Sequence, residues 1–115
     1  MNRLRAAVAA VLLCGCAASS LEPLSLSISV TATPTSAAVG DTITFVTNMQ
    51  GDNLIAVEGD YGDGTSPDGF DIPFGRTARN TFKHVYTTTG SFTATFTAAQ
   101  ADSTARSTTA TVQIH

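Results

Sequence analysis

Ser91-Phe92-Thr93-Ala94-Thr95-Phe96-Thr97-Ala98 decides how this chain folds. Apolar and hydroxyl side chains alternate without a break. A period of two puts Phe92, Ala94, Phe96 and Ala98 on one face of an extended strand and Ser91, Thr93, Thr95 and Thr97 on the other. Such a strand buries one face only, so a second layer must cover it. Thr87 to Gly90 turns the chain just before it, and 78–86 is predicted as the preceding strand. Downstream, 104–114 forms a last strand with Ala110, Val112 and Ile114 inward.

The same period recurs upstream. Leu24, Leu26, Ile28 and Val30 alternate with Ser25, Ser27, Ser29 and Thr31. Pro34 cannot donate to a ladder and breaks this strand before the chain continues to Val39. Gly40 and Asp41 turn, and Ile43 and Phe45 share a face opposite Thr42, Thr44 and Val46. Residues 49–53 are predicted as a polar turn, and 54–61 as a strand with Ile55, Val57 and Tyr61 on one face. After a sharp turn at Gly62-Asp63-Gly64, residues 65–77 read as a long connection. Pro67, Gly69, Pro73 and Gly75 break it, and Phe70, Ile72 and Phe74 are available as plugs. No window has the 3.6-residue period of an amphipathic helix. Six or so short strands joined by Gly and Asp turns predict an all-β, two-sheet antiparallel sandwich of immunoglobulin-like type. The abundance of Ser and Thr would also suit an unstructured stalk, but a stalk has no reason to keep strict apolar alternation.

Gly59-Asp60-Tyr61-Gly62-Asp63-Gly64, then His84-Val85-Tyr86, then Gly90-Ser91-Phe92, resembles the pattern of the PKD domain: Trp-Asp-Phe-Gly-Asp-Gly, His-x-Tyr and Gly-x-Tyr/Phe, ending in a Thr-rich strand. The resemblance covers about residues 24–115 and implies an immunoglobulin-like sandwich in which these positions are structural. The chemistry agrees. Gly62 and Gly64 tolerate the positive φ of a tight turn, and Asp63 between them can accept backbone N–H groups. Tyr86, before a turn, suits a buried ring whose hydroxyl ties down a neighbouring loop. His84 shares its face and is expected to be hydrogen-bonded structure rather than a ligand. One departure stands out: Gly59 occupies the family's Trp position, and the chain has no Trp. Phe70 or Phe74 is the expected filler of that space.

At the N-terminus, Arg3 and Arg5 precede an apolar run from Ala6 to Leu13, the layout of a secretory signal. The run falls short of the roughly 20 apolar residues that span a bilayer. Leu13-Cys14-Gly15-Cys16 resembles a bacterial lipobox with Cys16 as the acylated residue; cleavage near Ala17 and Ala18, or an unprocessed anchor, are the alternatives. The organisation expected is therefore a signal peptide at 1–15, a lipidated Cys16 with a short tether at 16–23, and one sandwich domain at 24–115. Both cysteines lie in this leading segment, so no disulfide framework or Cys metal site is expected in the fold. Seven residues from Ala17 to Pro23 span roughly 25 Å fully extended, which keeps the domain close to its membrane. Without an Asp after Cys16, the outer membrane is the expected destination if the source is Gram-negative.

Beyond residue 15 the cations are Arg76, Arg79, Lys83 and Arg106 against nine acidic residues, a net charge of −5. Nucleic acid is not expected as a partner, since its binding rests on neutralising phosphates. Asp52, Glu58, Asp60, Asp63, Asp68 and Asp71 crowd one stretch. Read plainly, they form turns and solubilise the surface, and no cofactor is expected. The alternative, a calcium site at Asp60, Asp63, Asp68 and Asp71, would draw on the six to eight oxygens that ion needs. No nucleophile, zinc or phosphate-loop motif appears, so the chain is not expected to be an enzyme. Two functions remain: a cell-envelope module binding a protein or polysaccharide, with Phe70, Phe74, Arg76 and Arg79 as contact surface, or a passive spacer or assembly subunit.

Overall fold

The computed structural model describes residues 25–115; the expected signal segment, Cys16, the expected tether and Leu24 lie outside the described residues. The described chain is six strands, with no helix among the described residues: β1 Ser27–Thr33, β2 Ser36–Ala37, β3 Thr42–Asp60, β4 Asp68–Val85, β5 Gly90–Gln100 and β6 Ala105–Ile114. A cis Thr33–Pro34 peptide separates β1 from β2. This break moves the chain between layers, because β1 pairs antiparallel with β3 whereas β2 pairs parallel with β6.

β3 and β4 form one long hairpin that belongs to both layers. Residues 42–50 of β3 pair with β1 on one side and with residues 77–85 of β4 on the other. Past a register shift between Gln50 and Leu54, β3 exchanges β1 for β5 while β4 continues beside it. One layer is thus β1, the first half of β3 and the second half of β4. The other is the first half of β4, the second half of β3, then β5, β6 and β2. The layers meet through aromatic rings, Phe45 and Phe82 from the first lying 5.2 and 5.0 Å from Phe96 of the second. This is the two-sheet sandwich the alternation predicts. Phe45, Phe82, Phe96, Ile43, Leu54, Val57, Tyr61, Tyr86 and Val112 are all essentially inaccessible, and burying each of the larger apolar side chains contributes about 1.5–3 kcal/mol.

Two expectations fail locally. The polar turn at 49–53 is instead a bulged bend within β3: Met49 and Gly51 are buried, and the Asp52 N–H donates to Gln100 Oε1 at 2.6 Å. Burial beneath β5 keeps the segment extended although its residues suit a turn. The bulge continues between Leu54 and Ala56, so Leu54 takes the inward position and Ile55 is only half-buried. The long connection at 65–77 is likewise mostly strand, β4 beginning at Asp68. Pro73 is tolerated because β4 has no partner on its far side and because β4 bulges there: Ala56 pairs with Asp71 and Leu54 with Gly75, leaving Ile72, Pro73 and Phe74 without partners.

Candidate functional site

The motif residues converge at one end of the sandwich. Gly62 and Gly64 have φ of 78° and 84°, and the turn they make is held by Asp60 Oδ1, accepting from the Gly62 N–H at 3.0 Å, and Asp63 Oδ1, accepting from the Thr65 N–H at 3.1 Å. His84 Nε2 donates to Asp63 Oδ2 at 2.7 Å, and its ring stacks on Tyr61 at 3.9 Å. Tyr61 donates to Asp68 Oδ2 at 2.6 Å, and the Tyr86 hydroxyl donates to the Tyr61 carbonyl at 2.9 Å. Gly90, with φ of 144°, begins β5 beside Phe92.

Burial and these bonds shift the titration of Tyr61, Tyr86 and Asp63. Burial pushes the Tyr61 hydroxyl far above its ordinary value, aided by its hydrogen bond to Asp68 and by the Asp68 charge. Burial likewise pushes Tyr86 up to about 12, with Asp63 and Asp60 adding to the effect. For Asp63 burial opposes ionisation, but the Thr65 and His84 hydrogen bonds outweigh it and hold the carboxyl below its usual value. Each polar side chain of the motif therefore has at least one internal partner, which makes the cluster a brace for turn and strands. The four aspartates of the calcium alternative are not brought together: Asp60, Asp63 and Asp68 serve three different bonds, and Asp71 lies on the outer face of β4. No three His, Cys, Asp or Glu side chains form a metal-holding group among the described residues.

At the missing Trp, the structure overturns the expected filler. A Cβ on Gly59 would lie 2.5 and 2.8 Å from Phe96 Cε1 and Cδ1 and 3.2 Å from Phe82 Cε2. Phe96 and Phe82 already occupy the space, from β5 and from the far half of β4. Phe74 is 70% exposed, and Phe70 is 41% exposed, its ring meeting Phe82 edge-on at 4.9 Å. Register explains this: Phe96 is the direct partner of Gly59 on β5, whereas Phe70 stands opposite Val57 and Phe74 lies in the unpaired β4 bulge.

The outer face of the larger layer carries a shallow groove of about 320 Å³, lined by Ala56, Val57, Glu58, Gly69, Phe70, Asp71, Thr97 and Ala99. Strand register builds it from two adjacent rows. Asp71, Ala56 and Ala99 stand side by side across β4, β3 and β5, and Gly69, Glu58 and Thr97 form the next row. Small side chains make the floor, two carboxylates and a hydroxyl the rim. Of the contact residues expected from sequence, only Phe70 lines this groove. Arg79 lies in the other layer opposite Asn48, and Phe74 and Arg76 are exposed at the β4 bulge. Glu58, Thr97 and Ala99 were legible as outward positions of alternating strands, but nothing local to them signals that β4 brings Gly69 and Asp71 alongside.

The solved CARDB domain of a Pyrococcus furiosus protein, crystallised in complex with di-metal ions, superposes with a TM-score of 0.59 at 14% identity, covering 80% of this chain and 93% of that one. At that identity the likeness is one of fold. No curated protein matches the sequence. The PKD domain family matches residues 27–113, a span that takes in all six strands but for Ile114 at the end of β6 and the whole Gly59–Gly64, His84–Tyr86 and Gly90 framework, and the chain belongs to that family.

Proposed function

We propose that this PKD domain is a non-catalytic binding module of the bacterial cell envelope, tethered through lipid on Cys16, and that it takes a polysaccharide in the groove across β4, β3 and β5. The groove carries the reading. An alanine and glycine floor accepts the C–H face of a sugar ring, and Glu58 and Asp71 offer carboxylate acceptors for hydroxyl pairs, beside a Thr97 hydroxyl that already bonds Ser107 at 2.7 Å. An open, shallow shape suits an internal stretch of an extended chain better than a small molecule, for which enclosed pockets are the rule. The exposed carboxylates have no nucleophile beside them, which supports binding without turnover.

The test is a glycan array followed by titration calorimetry on the best ligand, with the Glu58→Gln and Asp71→Asn variants. A polysaccharide ligand whose affinity falls roughly tenfold in each variant, the loss of about one charge-assisted hydrogen bond, supports the assignment. An array that returns nothing while an envelope protein is captured through the same residues redirects it to a protein ligand. Silence from both favours the passive spacer.

A further inference from the structure

The described chain begins at the end of the sandwich opposite the Gly62 turn. β1 starts at Ser27 opposite Gln50, and Gln50 lies opposite Thr77, so one row holds the entry of the chain and both bulges. Leu26 reaches over Gly51. The Ala101 N–H donates to the Asn53 carbonyl at 2.9 Å, which brings the β5–β6 turn to the same end. Leu54, just past the bend, pairs with both Gly75 and Gln100. From this end projects Phe74, whose φ of 45° and 70% exposure set it apart. A bulky residue at positive φ is strained, and strain that packs nothing in the core points to use outside it. Arg76 and Arg79 follow it along β4, and Asp52 and Asp102 stand on the bulge and the turn nearby, all four exposed.

We infer that this end docks on the lipid bilayer, with the Phe74 ring entering the interfacial layer and the mixed charges around it meeting zwitterionic phospholipid headgroups. The inference rests on the Cys16 anchor, which would hold the end within the roughly 25 Å that seven extended residues allow. An apolar Phe ring gains by burial at the boundary of headgroups and acyl chains, and a tether converts a weak insertion into an intramolecular event at high effective concentration. Balanced charge at this end favours zwitterionic over strongly anionic lipid. The domain then stands with its Gly62 turn away from the bilayer and its groove along the side, open to an extended ligand.

Because the chain has no Trp, a single introduced Trp reports its own surroundings. Full-length protein carrying Phe74→Trp, or Arg76→Trp should the first not fold, is purified from membranes and reconstituted into phosphatidylethanolamine–phosphatidylcholine vesicles; Thr88→Trp at the opposite end is the control. We expect the Phe74→Trp emission to shift to the blue on vesicles and to be quenched by lipids brominated near the headgroup, with Thr88→Trp unchanged in both respects. Vesicle-bound protein whose Phe74→Trp emission does not move overturns the docking and leaves the anchor intact. Equal shifts at both ends overturn the end-on orientation. Protein that does not float with the vesicles overturns the anchor itself, and the docking with it.

Discussion

Gly59 and Phe96 form a coupled pair, and substituting one should change the cost of substituting the other. In Gly59→Ala the new methyl falls 2.5 Å from Phe96 Cε1 and 2.8 Å from Cδ1, well inside van der Waals contact. The ring cannot yield cheaply, because Phe96 is fully buried with Phe45 at 5.2 Å and Phe82 at 5.0 Å. Overpacking of this kind costs about 1–3 kcal/mol, less the few tenths to about 1 kcal/mol that losing a glycine's unfolded-state freedom returns. We expect a net loss of about 1–2 kcal/mol, or roughly 4–16 °C in Tm for a domain of this size. Phe96→Ala alone should cost about 3–5 kcal/mol by opening a cavity. In the double variant the methyl enters that cavity, so the losses should fall short of additive by about 1 kcal/mol or more. Urea unfolding followed by circular dichroism, run as a double-mutant cycle, reads the coupling directly. Strict additivity, or a Gly59→Ala variant as stable as the parent, would refute the reasoning that Phe96 occupies the family's Trp space.

Three further outcomes follow from the motif end. Tyr86→Phe should cost about 1–3 kcal/mol, because it strips a buried carbonyl of its donor; Tyr61→Phe should cost less, since Asp68 is exposed and water can replace the lost bond; urea midpoints at constant slope order the two. Gly62→Ala should be far worse than Gly64→Ala: both need positive φ, an expense of about 1–2 kcal/mol, but a Cβ at Gly62 runs into the Thr93 backbone carbonyl while Gly64 faces open space. In pH titrations of stability, the tyrosines' raised values mean that their contribution is complete below about 10 and lost as pH rises through the folded value, about 12 for Tyr86. Asp63, held low in the fold, contributes above its unfolded value of 3.8 and loses that contribution as pH falls through the lower folded one. Tyr86→Phe should therefore flatten the alkaline limb, which circular dichroism against pH will show.

What the sequence made legible was local: which side of each strand is apolar, and which residues turn. The alternation through Phe92–Ala98 needs only the two-residue period, and the Gly62–Gly64 turn only the φ preference of glycine. What stayed hidden was decided by partners distant in sequence. Met49–Asn53 reads as a turn by composition and is strand because Gln100 lies over it. Residues 68–75 read as loop because Pro73 and two glycines interrupt them, yet an edge position with a bulge tolerates all three. The groove is harder still to see, since its rows exist only once β4 is known to continue alongside β3. Phe96 was visible as core from its alternation, but not as the neighbour of Gly59, because cross-strand register is absent from one strand's pattern.

The two ends of the sandwich answer to different demands. At the Gly62 end every motif side chain is bonded or stacked within the protein: Asp63 to Thr65 and His84, Tyr61 to Asp68, Tyr86 to the Tyr61 carbonyl. Such a cluster has little polar capacity left for a ligand, and disturbing it risks leaving buried groups unpaired. The proposed recognition surfaces lie instead where side chains are less committed, at Glu58 and Asp71 of the groove and at the Phe74 bulge, whereas Thr97 already bonds the Ser107 hydroxyl at 2.7 Å. This division separates the consequences of substitution. Phe74→Ser should leave unfolding by urea within about 0.5 kcal/mol of the parent, as an exposed site without packing does, because serine carries the same Cβ at the φ of 45°. A loss of several kcal/mol would instead make Phe74 a packed element of the fold and remove the strain argument for its use at a surface.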